Sequence, residues 1–369
     1  VDFTKRFTGL EGFQIGWMLS RNEQVLKAVS RFASQSFTST NIITQHGIAQ
    51  VLNQFLKTKA ANADKNPSNN EIKIDGDFSL LSKQAKELKP SATLTAATKV
   101  AQDPQAIKLD VGQSGFNLSN ELILGVIQAV NPAINYPTLE EKVKKTLTGY
   151  LKKSRGLDYE PHQIVLGQGA KPLLLNTIKA ITRKSFRERR KVATAIPEPY
   201  WVSYPEHAKL CNTQVEYLDT TKEDNYRVTV PALEKVFGGY EDYQKVLILN
   251  SPSNPAGVVY RRDELIEIAK FAVRNNIYIL SDEIYGLLTF GDITHTSIAS
   301  LEKEAPGIKK LTIVYAGLSK EVAAPGIRFG AAAVEDNELL KIIKDLTIAG
   351  PDKICLGGAL GIYKNYEQY

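Results

Sequence analysis

Two cysteines in 369 residues are too few for a disulfide framework, and neither Cys211 nor Cys355 stands in a CxxC or Cys/His spacing that would hold a metal. Both read as buried structural thiols. No apolar run approaches the roughly eighteen residues that a membrane span requires, and the first residues lack a signal-peptide h-region. The expectation is a soluble, cytoplasmic protein that makes no use of a membrane. Excess charge is also scarce: the net +6 is modest for this length. Its densest cluster, "TRKSFRERRK" from Thr182 to Lys191, has no nucleic-acid motif beside it and reads as a solvated helix end or loop.

What is present suits a packed α/β protein. A hydrophobic share of 43% can fill a large core, and the length allows two domains. From about residue 105, short apolar runs alternate with amphipathic stretches, as in a mainly parallel sheet flanked by helices. The candidate strands are "AIKLDVG", "HQIVLGQG", "KVATAIPEP", "TQVEYLD", "KVLILNSPS", "NIYILSDE" and "LTIVYAG". Several end in Gly, Ser, Asn or Asp, which puts a ligand crevice at the C-terminal edge of the sheet. In "YRRDELIEIAKFAVRNN", Asp263 is the expected N-cap, and Leu265, Ile268, Ala269 and Ala272 recur at helical spacing on one sheet-facing side. The polar stretch Lys57 to Asp77 cannot bury enough apolar area for a core and reads as a linker.

The chemistry is concentrated at strand ends. Lys320 follows "LTIVYAG", with Ser319 beside it and Arg328 eight residues later. An amine there can form a Schiff base with a carbonyl cofactor, while a hydroxyl and a guanidinium suit a phosphate. "GQGAK", Gly167 to Lys171, opens an apolar helix whose N-terminal amides form a second phosphate cradle. Asp282 ends "NIYIL" and can accept a hydrogen bond from a pyridinium nitrogen, with Tyr285 three residues on. In "NSPSNPAG", Asn254 precedes a proline in a turn that can aim its amide at a phenolate oxygen. "PEPYWVSYP" brings Tyr200 and Trp201 to a strand end, offering a ring face for stacking.

"NSPSNPAG", "SDEIYG" and "GLSKEVAAPGIRFG", in that order, resemble the class I and II aminotransferases of the fold-type I pyridoxal-phosphate enzymes. The resemblance runs from about Phe78 to Tyr369 and begins with "LLSKQAKELKPSATL", similar to the bacterial aspartate and prephenate aminotransferase subgroup. It implies a fold-type I α/β architecture with a mainly parallel seven-stranded sheet and an incomplete small domain. The implied organisation is a partial aminotransferase-like segment over 1–57, a linker over 58–77 and an N-terminal small-domain segment over 78–105. A large cofactor-binding domain over 106–330 and the start of a C-terminal small domain over 331–369 complete it.

The implied cofactor is pyridoxal 5′-phosphate, with no metal. Lys320 would make the internal aldimine and move the proton, and Asp282 would keep the ring nitrogen protonated. Asn254 and Tyr285 would hold the 3′ oxygen, and Trp201 would stack on the ring. Ser319, Arg328 and the amides of Gly169 and Ala170 would bind phosphate. Tyr136 would reach the phosphate of a neighbouring subunit, implying a homodimer, and the Gly112 amide would approach the substrate carboxylate, which Asn254 would also face. An amino acid, with an aspartate- or glutamate-like donor favoured, and a 2-oxo acid are the implied substrates. The rival expectations are a noncatalytic module of this fold or a lyase using the same cofactor residues.

Three departures from the family stand out. "VGQSGF" lacks the proline usual after that glycine, and "INYPTLEE" is shorter than the family's loop there; "KEVAAPGIR" lacks the usual aromatic and Met-Thr. The sequence also ends about fifty residues beyond Lys320, ahead of the family's substrate-carboxylate arginine. The N-terminal stretch repeats the lysine passage: Gly12, Gly16, Leu26 and Lys27 match Gly326, Gly330, Leu340 and Lys341 at one offset of 314. There Lys5 survives, but Gln14 replaces Arg328, and a neutral amide cannot pair with a phosphate dianion as guanidinium does. Lys320, not Lys5, is therefore the expected Schiff-base residue, in a chain read as an excerpt of a tandem protein or a rearrangement.

Overall fold

A computed structural model of the protein describes residues 116–130 and 139–368. The candidate strand "AIKLDVG", the linker, both N-terminal segments with Lys5, and the site candidates Gly112 and Tyr136 lie outside the described residues.

Strands β1 (Ile164–Gly167), β2 (Val192–Pro197), β3 (Gln214–Leu218), β4 (Gln244–Asn250), β5 (Ile277–Asp282), β6 (Thr312–Gly317) and β7 (Gly330–Val334) form one seven-stranded sheet of order β1-β7-β6-β5-β4-β2-β3. Strands β4, β5 and β6 are buried at every position, as central parallel strands covered on both faces must be, and their sequences are correspondingly near-continuous in Val, Ile and Leu. Each fully buried Leu or Ile of these runs contributes about 1.5–3 kcal/mol relative to exposure. Only β7 is antiparallel to its neighbours. Its sequence "GAAAV" has little intrinsic strand preference, and it was not among the strands expected from the sequence. Packing explains the small residues. A Cβ on Gly330 would stand 2.3 Å from the Gly169 carbonyl carbon and 2.4 Å from the Ala170 nitrogen. The sheet thus continues past residue 330, through which the expected domain boundary was drawn.

Helices cover both faces. On one side α3 (Ala170–Arg187), α4 (Ser203–Leu210) and α9 (Asn337–Leu346) bury Leu173, Ile178, Tyr204, Leu339 and Ile343 with the sheet. On the other, α5 (Val230–Phe237), α6 (Arg262–Arg274) and α7 (Ile308–Leu311) do the same with Leu233, Leu265, Ile268 and Ile308. Helices α1 (Asn120–Val130), α2 (Glu140–Arg155) and α10 (Lys353–Lys364) close a third cluster over β1, β6 and β7, around Leu147, Leu151, Phe329 and Leu356. The remaining helix, α8 (Leu318–Glu321), is one turn long and carries Lys320.

Helix α6 buries Leu265, Ile268, Ala269 and Ala272, as the spacing requires. Its cap differs from the expectation. Arg261 is the N-cap, with its backbone N–H donating to Glu264 Oε2 at 2.8 Å. Asp263 lies inside the first turn and accepts from the Arg261 guanidinium at 3.1 Å, so a nearby cation competes for the carboxylate that would have capped. Residues 337–364 form α9, packed on α3, and α10, packed on α1 and α2. Their N-caps Asp336 and Asp352 accept from Leu339 and Cys355 amides at 2.9 and 2.8 Å. The basic run ends α3 and is ion-paired, with Lys184 3.3 Å from Glu188 and 3.8 Å from Glu338. Cys211 and Cys355 are free and buried, and burial pushes the Cys211 thiol up to about 12. Among the described residues, no helix is long and apolar enough to cross a membrane, and no acidic, His or Cys group could hold a metal.

Candidate active site

The parallel register brings β4, β5 and β6 to one edge, where Asn250 pairs with Asp282 and Asp282 with Tyr315. Asp282 is buried, and its Oδ2 accepts the Tyr204 hydroxyl at 2.7 Å while Oδ1 accepts the Ile284 amide at 3.3 Å. Burial raises its pKa, and these two donors oppose the rise. Asn250 Nδ2 donates to the Asp282 carbonyl at 2.8 Å, and its Oδ1 accepts the Asn254 amide at 2.7 Å. One asparagine thereby ties the "NSPSNPAG" turn, with its cis Asn254–Pro255 peptide, to the aspartate strand.

Burial and the Asp282 charge together push the Tyr285 phenol up to about 12, against the influence of the neighbouring Asn254 side chain. Lys320 Nζ lies 5.9 Å from the Tyr285 ring centroid. Its pKa is lowered, first by burial and then by the charge of Arg328. The structure thus sets Lys320, Asp282, Asn254 and Tyr285 at one edge of the sheet.

The anion end is built where α3 begins. Gly169 has φ +96°, a conformation natural to glycine, and Arg328 Nη2 would stand only 2.5 Å from a Cβ there. Arg328 Nη1 donates to Pro325 O at 2.7 Å and to Ser319 Oγ at 3.4 Å. The buried Arg328 Nε has no partner among the described residues. The Gly169 amide donates within its own turn to Gly167 O at 2.8 Å. Gly169 offers space against Arg328, and its amide is engaged within its own turn. Ala170, the first residue of α3, carries an amide that helix geometry leaves without an intrahelical acceptor.

Two residues were missed in the sequence. Lys171, in "GQGAK", is buried in the first turn of α3 with Nζ 5.3 Å from the Trp201 ring centroid. Burial and then Arg328 lower its pKa to about 8. Lys171, Lys320 and Arg328 form a cationic group whose members disfavour one another's charge, the electrostatic signature of a site for an anion. Tyr204, in "PEPYWVSYP", is the Asp282 donor and packs edge-on to Trp201, with centroids 5.4 Å apart. Both stood inside stretches already singled out, but neither residue type signals its direction. Tyr200 instead stacks on Tyr217. A cavity of about 760 Å³ opens beside Arg190, Cys211 and Tyr243. It contains none of these convergent groups, and the chemistry of the donor set outweighs size in locating the site.

The sequence pattern of the class I and II aminotransferases matches residues 104–349. An aspartate aminotransferase from Bacillus sp. (strain YM-2) is 37% identical over 69% of this chain, which spans 64% of that relative's length. A probable aspartate/prephenate aminotransferase from Rhizobium leguminosarum bv. phaseoli is 31% identical over 67% of the chain and 60% of its own length. The structure of aspartate aminotransferase from Thermus thermophilus with maleate is similar at TM-score 0.69 and 25% identity, over 78% of this chain and 73% of that one.

Proposed function

The chain belongs to the class I and II aminotransferase family, and from that premise we propose that it transfers an amino group between an amino acid and a 2-oxo acid using pyridoxal 5′-phosphate attached through Lys320. The observation that carries the proposal is the convergence of a half-buried amine of lowered pKa, a buried carboxylate and an arginine with an unpartnered Nε. The residues fit the cofactor. Gly169 leaves room against Arg328 for an anion, and Lys171, Arg328, Ser319 and the Ala170 amide match a phosphate in charge and donor type.

Pyridoxal phosphate supplies a carbonyl that takes up an amino group and a ring that withdraws electrons from the adjacent carbon. The Asp282 carboxylate holds a proton on the ring nitrogen, and Tyr204 keeps that carboxylate oriented. Asn254 and Tyr285, which neighbour one another, would hold the ring's phenolic oxygen. Lys320 would be the attachment point, and its amine, whose pKa burial and then Arg328 lower, would move the proton at the substrate's Cα. Trp201 offers its ring face for stacking. The relatives' names support aspartate as donor; glutamate as a donor and 2-oxoglutarate as an acceptor extend the same reading. A cytoplasmic homodimer is part of the same reading. It is supported by the exposed Ile123, Leu124 and Ile127 of α1 and by Leu288, Phe290 and Ile293 after Tyr285.

The test is the visible spectrum of the purified protein with pyridoxal phosphate, before and after borohydride, with the reduced lysine mapped by mass spectrometry. Label on Lys320 that is lost in Lys320→Ala, together with conversion of the bound cofactor by aspartate, is the expected result. Label absent from Lys320, or a cofactor that no amino acid converts, would overturn it.

A further inference from the structure

An ionic cluster adjoins the site in sequence, and the proposed chemistry leaves it unused. Glu283 follows Asp282, and Glu321 follows Lys320. The buried Glu283 carboxylate receives Arg155 Nη1 at 2.9 Å, His295 Nε2 at 3.0 Å, Ser281 Oγ at 2.9 Å and Ser297 Oγ at 2.5 Å. Glu321, with a side chain 2% exposed, takes Arg155 Nη2 and the Tyr150 hydroxyl, the latter at 3.3 Å. Arg155 is the last residue of α2, and its side chain is 3% exposed. Its guanidinium also packs on the backbone after Tyr285, because a Cβ on Gly286 would stand 2.8 Å from Nη2 and 3.1 Å from Cζ. A single guanidinium therefore touches the segments that carry Asp282, Tyr285 and Lys320.

We propose that Arg155 is a positioning residue: through Glu283, Gly286 and Glu321 it holds those three segments in one mutual arrangement. The inference rests on the assignment of Lys320 as the cofactor lysine. Apolar side chains of similar volume would often stabilise such a position as well, so the buried charges are not needed for stability alone. What the planar fork adds is direction, with one arm for each carboxylate. Glu283, held down to about 2 by His295 and Arg155 against its burial, remains ionised. Glu321 is the second carboxylate on a shared cation, and burial pushes it up to about 7 against Arg155, Tyr150 and His295, with Glu283 adding to the rise. Tyr363 also senses Glu321, and both Asp282 and Tyr159 sense Glu283. The arm to the lysine turn is thus the one that changes charge near neutrality.

The test compares Glu321→Ala, Glu321→Gln and Arg155→Lys with the parent protein, by hydrogen exchange without cofactor and by steady-state kinetics with it. In Glu321→Ala, exchange over 318–324 should rise about tenfold while β2 is unchanged, and kcat should fall about tenfold with KM for aspartate within about twofold. Glu321→Gln keeps an acceptor for Arg155 and should restore both to within about threefold, while flattening the pH dependence of kcat around neutrality. Arg155→Lys replaces the fork with a point donor and should loosen 277–286 as well as 318–324. Parent-like exchange and kcat in Glu321→Ala would overturn the proposal, as would exchange raised across the whole sheet with kcat and KM altered together. A parent protein that takes no label at Lys320 refutes the cofactor assignment instead, and the exchange pattern still decides the brace.

Discussion

Replacing Gly330 by alanine should separate the anion end of the site from the rest of the fold. The added methyl would stand 2.3 Å from the Gly169 carbonyl carbon, 2.4 Å from the Ala170 nitrogen and 2.8 Å from the Gly169 oxygen. Carbon contacts settle near about 3.5–4.0 Å, so the start of β7 and the start of α3 must part by about 1 Å. No flexible side chain is available to yield, because all three neighbours are backbone. Overpacking of this kind costs about 1–3 kcal/mol in stability. The same displacement carries the Ala170 amide and the Gly169 turn away from Arg328. Two charge-assisted hydrogen bonds lost or lengthened, at about 1.5–3 kcal/mol each, amount to about 3–6 kcal/mol of phosphate binding, or roughly a hundredfold to ten-thousandfold in Kd. Titration of pyridoxal phosphate by absorbance, alongside thermal unfolding, measures both quantities. Gly149→Ala is the control: it lies on the exposed face of α2 with nothing within 4 Å of its Cβ, and should stabilise by about 0.5–1 kcal/mol with unchanged cofactor affinity. Cofactor affinity within about threefold of the parent in Gly330→Ala would refute the argument from close approach.

Tyr204→Phe removes the 2.7 Å donor that opposes the burial of Asp282, so the carboxyl titrates higher and the acid limb of cofactor binding should move to higher pH. A limb that stays in place, followed by absorbance, would contradict this. Glu321 has a folded-state pKa of about 7, above its unfolded value near about 4.3, so the native chain retains a proton that the unfolded chain has lost between these values. Stability at this position is therefore greatest below the unfolded pKa and declines as pH rises through about 7. Glu321→Gln should lack that decline, its melting temperature gaining on the parent from about pH 5 to about pH 8; a constant difference would count against the assignment. Inorganic phosphate should raise the melting temperature of the cofactor-free protein and fail to do so in Arg328→Gln, measured by calorimetry. Equal shifts in both proteins would place the anion elsewhere.

The central strands were legible because burial on both faces leaves an unbroken apolar run, as in "KVLILN" and "IYIL". The candidate site residues at their ends stood out through order and spacing, and the fold sets Lys320 Nζ 5.9 Å from the ring centroid of Tyr285, which feels the Asp282 charge. Strand β7 was not legible, because its opening Gly330 is set by the close approach of the start of α3 and its alanines carry little strand preference. The Tyr204–Asp282 bond spans 78 residues and the Arg155–Glu321 pair 166, and no local periodicity encodes such partners. The turn bond from the Gly169 amide to Gly167 O depends on the local backbone conformation, which residue type alone does not disclose.

At Asp282–Glu283 and again at Lys320–Glu321, one residue belongs to the proposed chemistry and its immediate successor is moored in the interior. A point substitution alters one member of such a pair. A single inserted or deleted residue would instead exchange them, setting a glutamate toward the cofactor and forcing the aspartate or lysine against Arg155. Chain length at these two places is consequently far less free to vary than side-chain identity around them. Variation in length has to be absorbed in turns without such a mooring, such as the exposed residues 238–242 between α5 and β4.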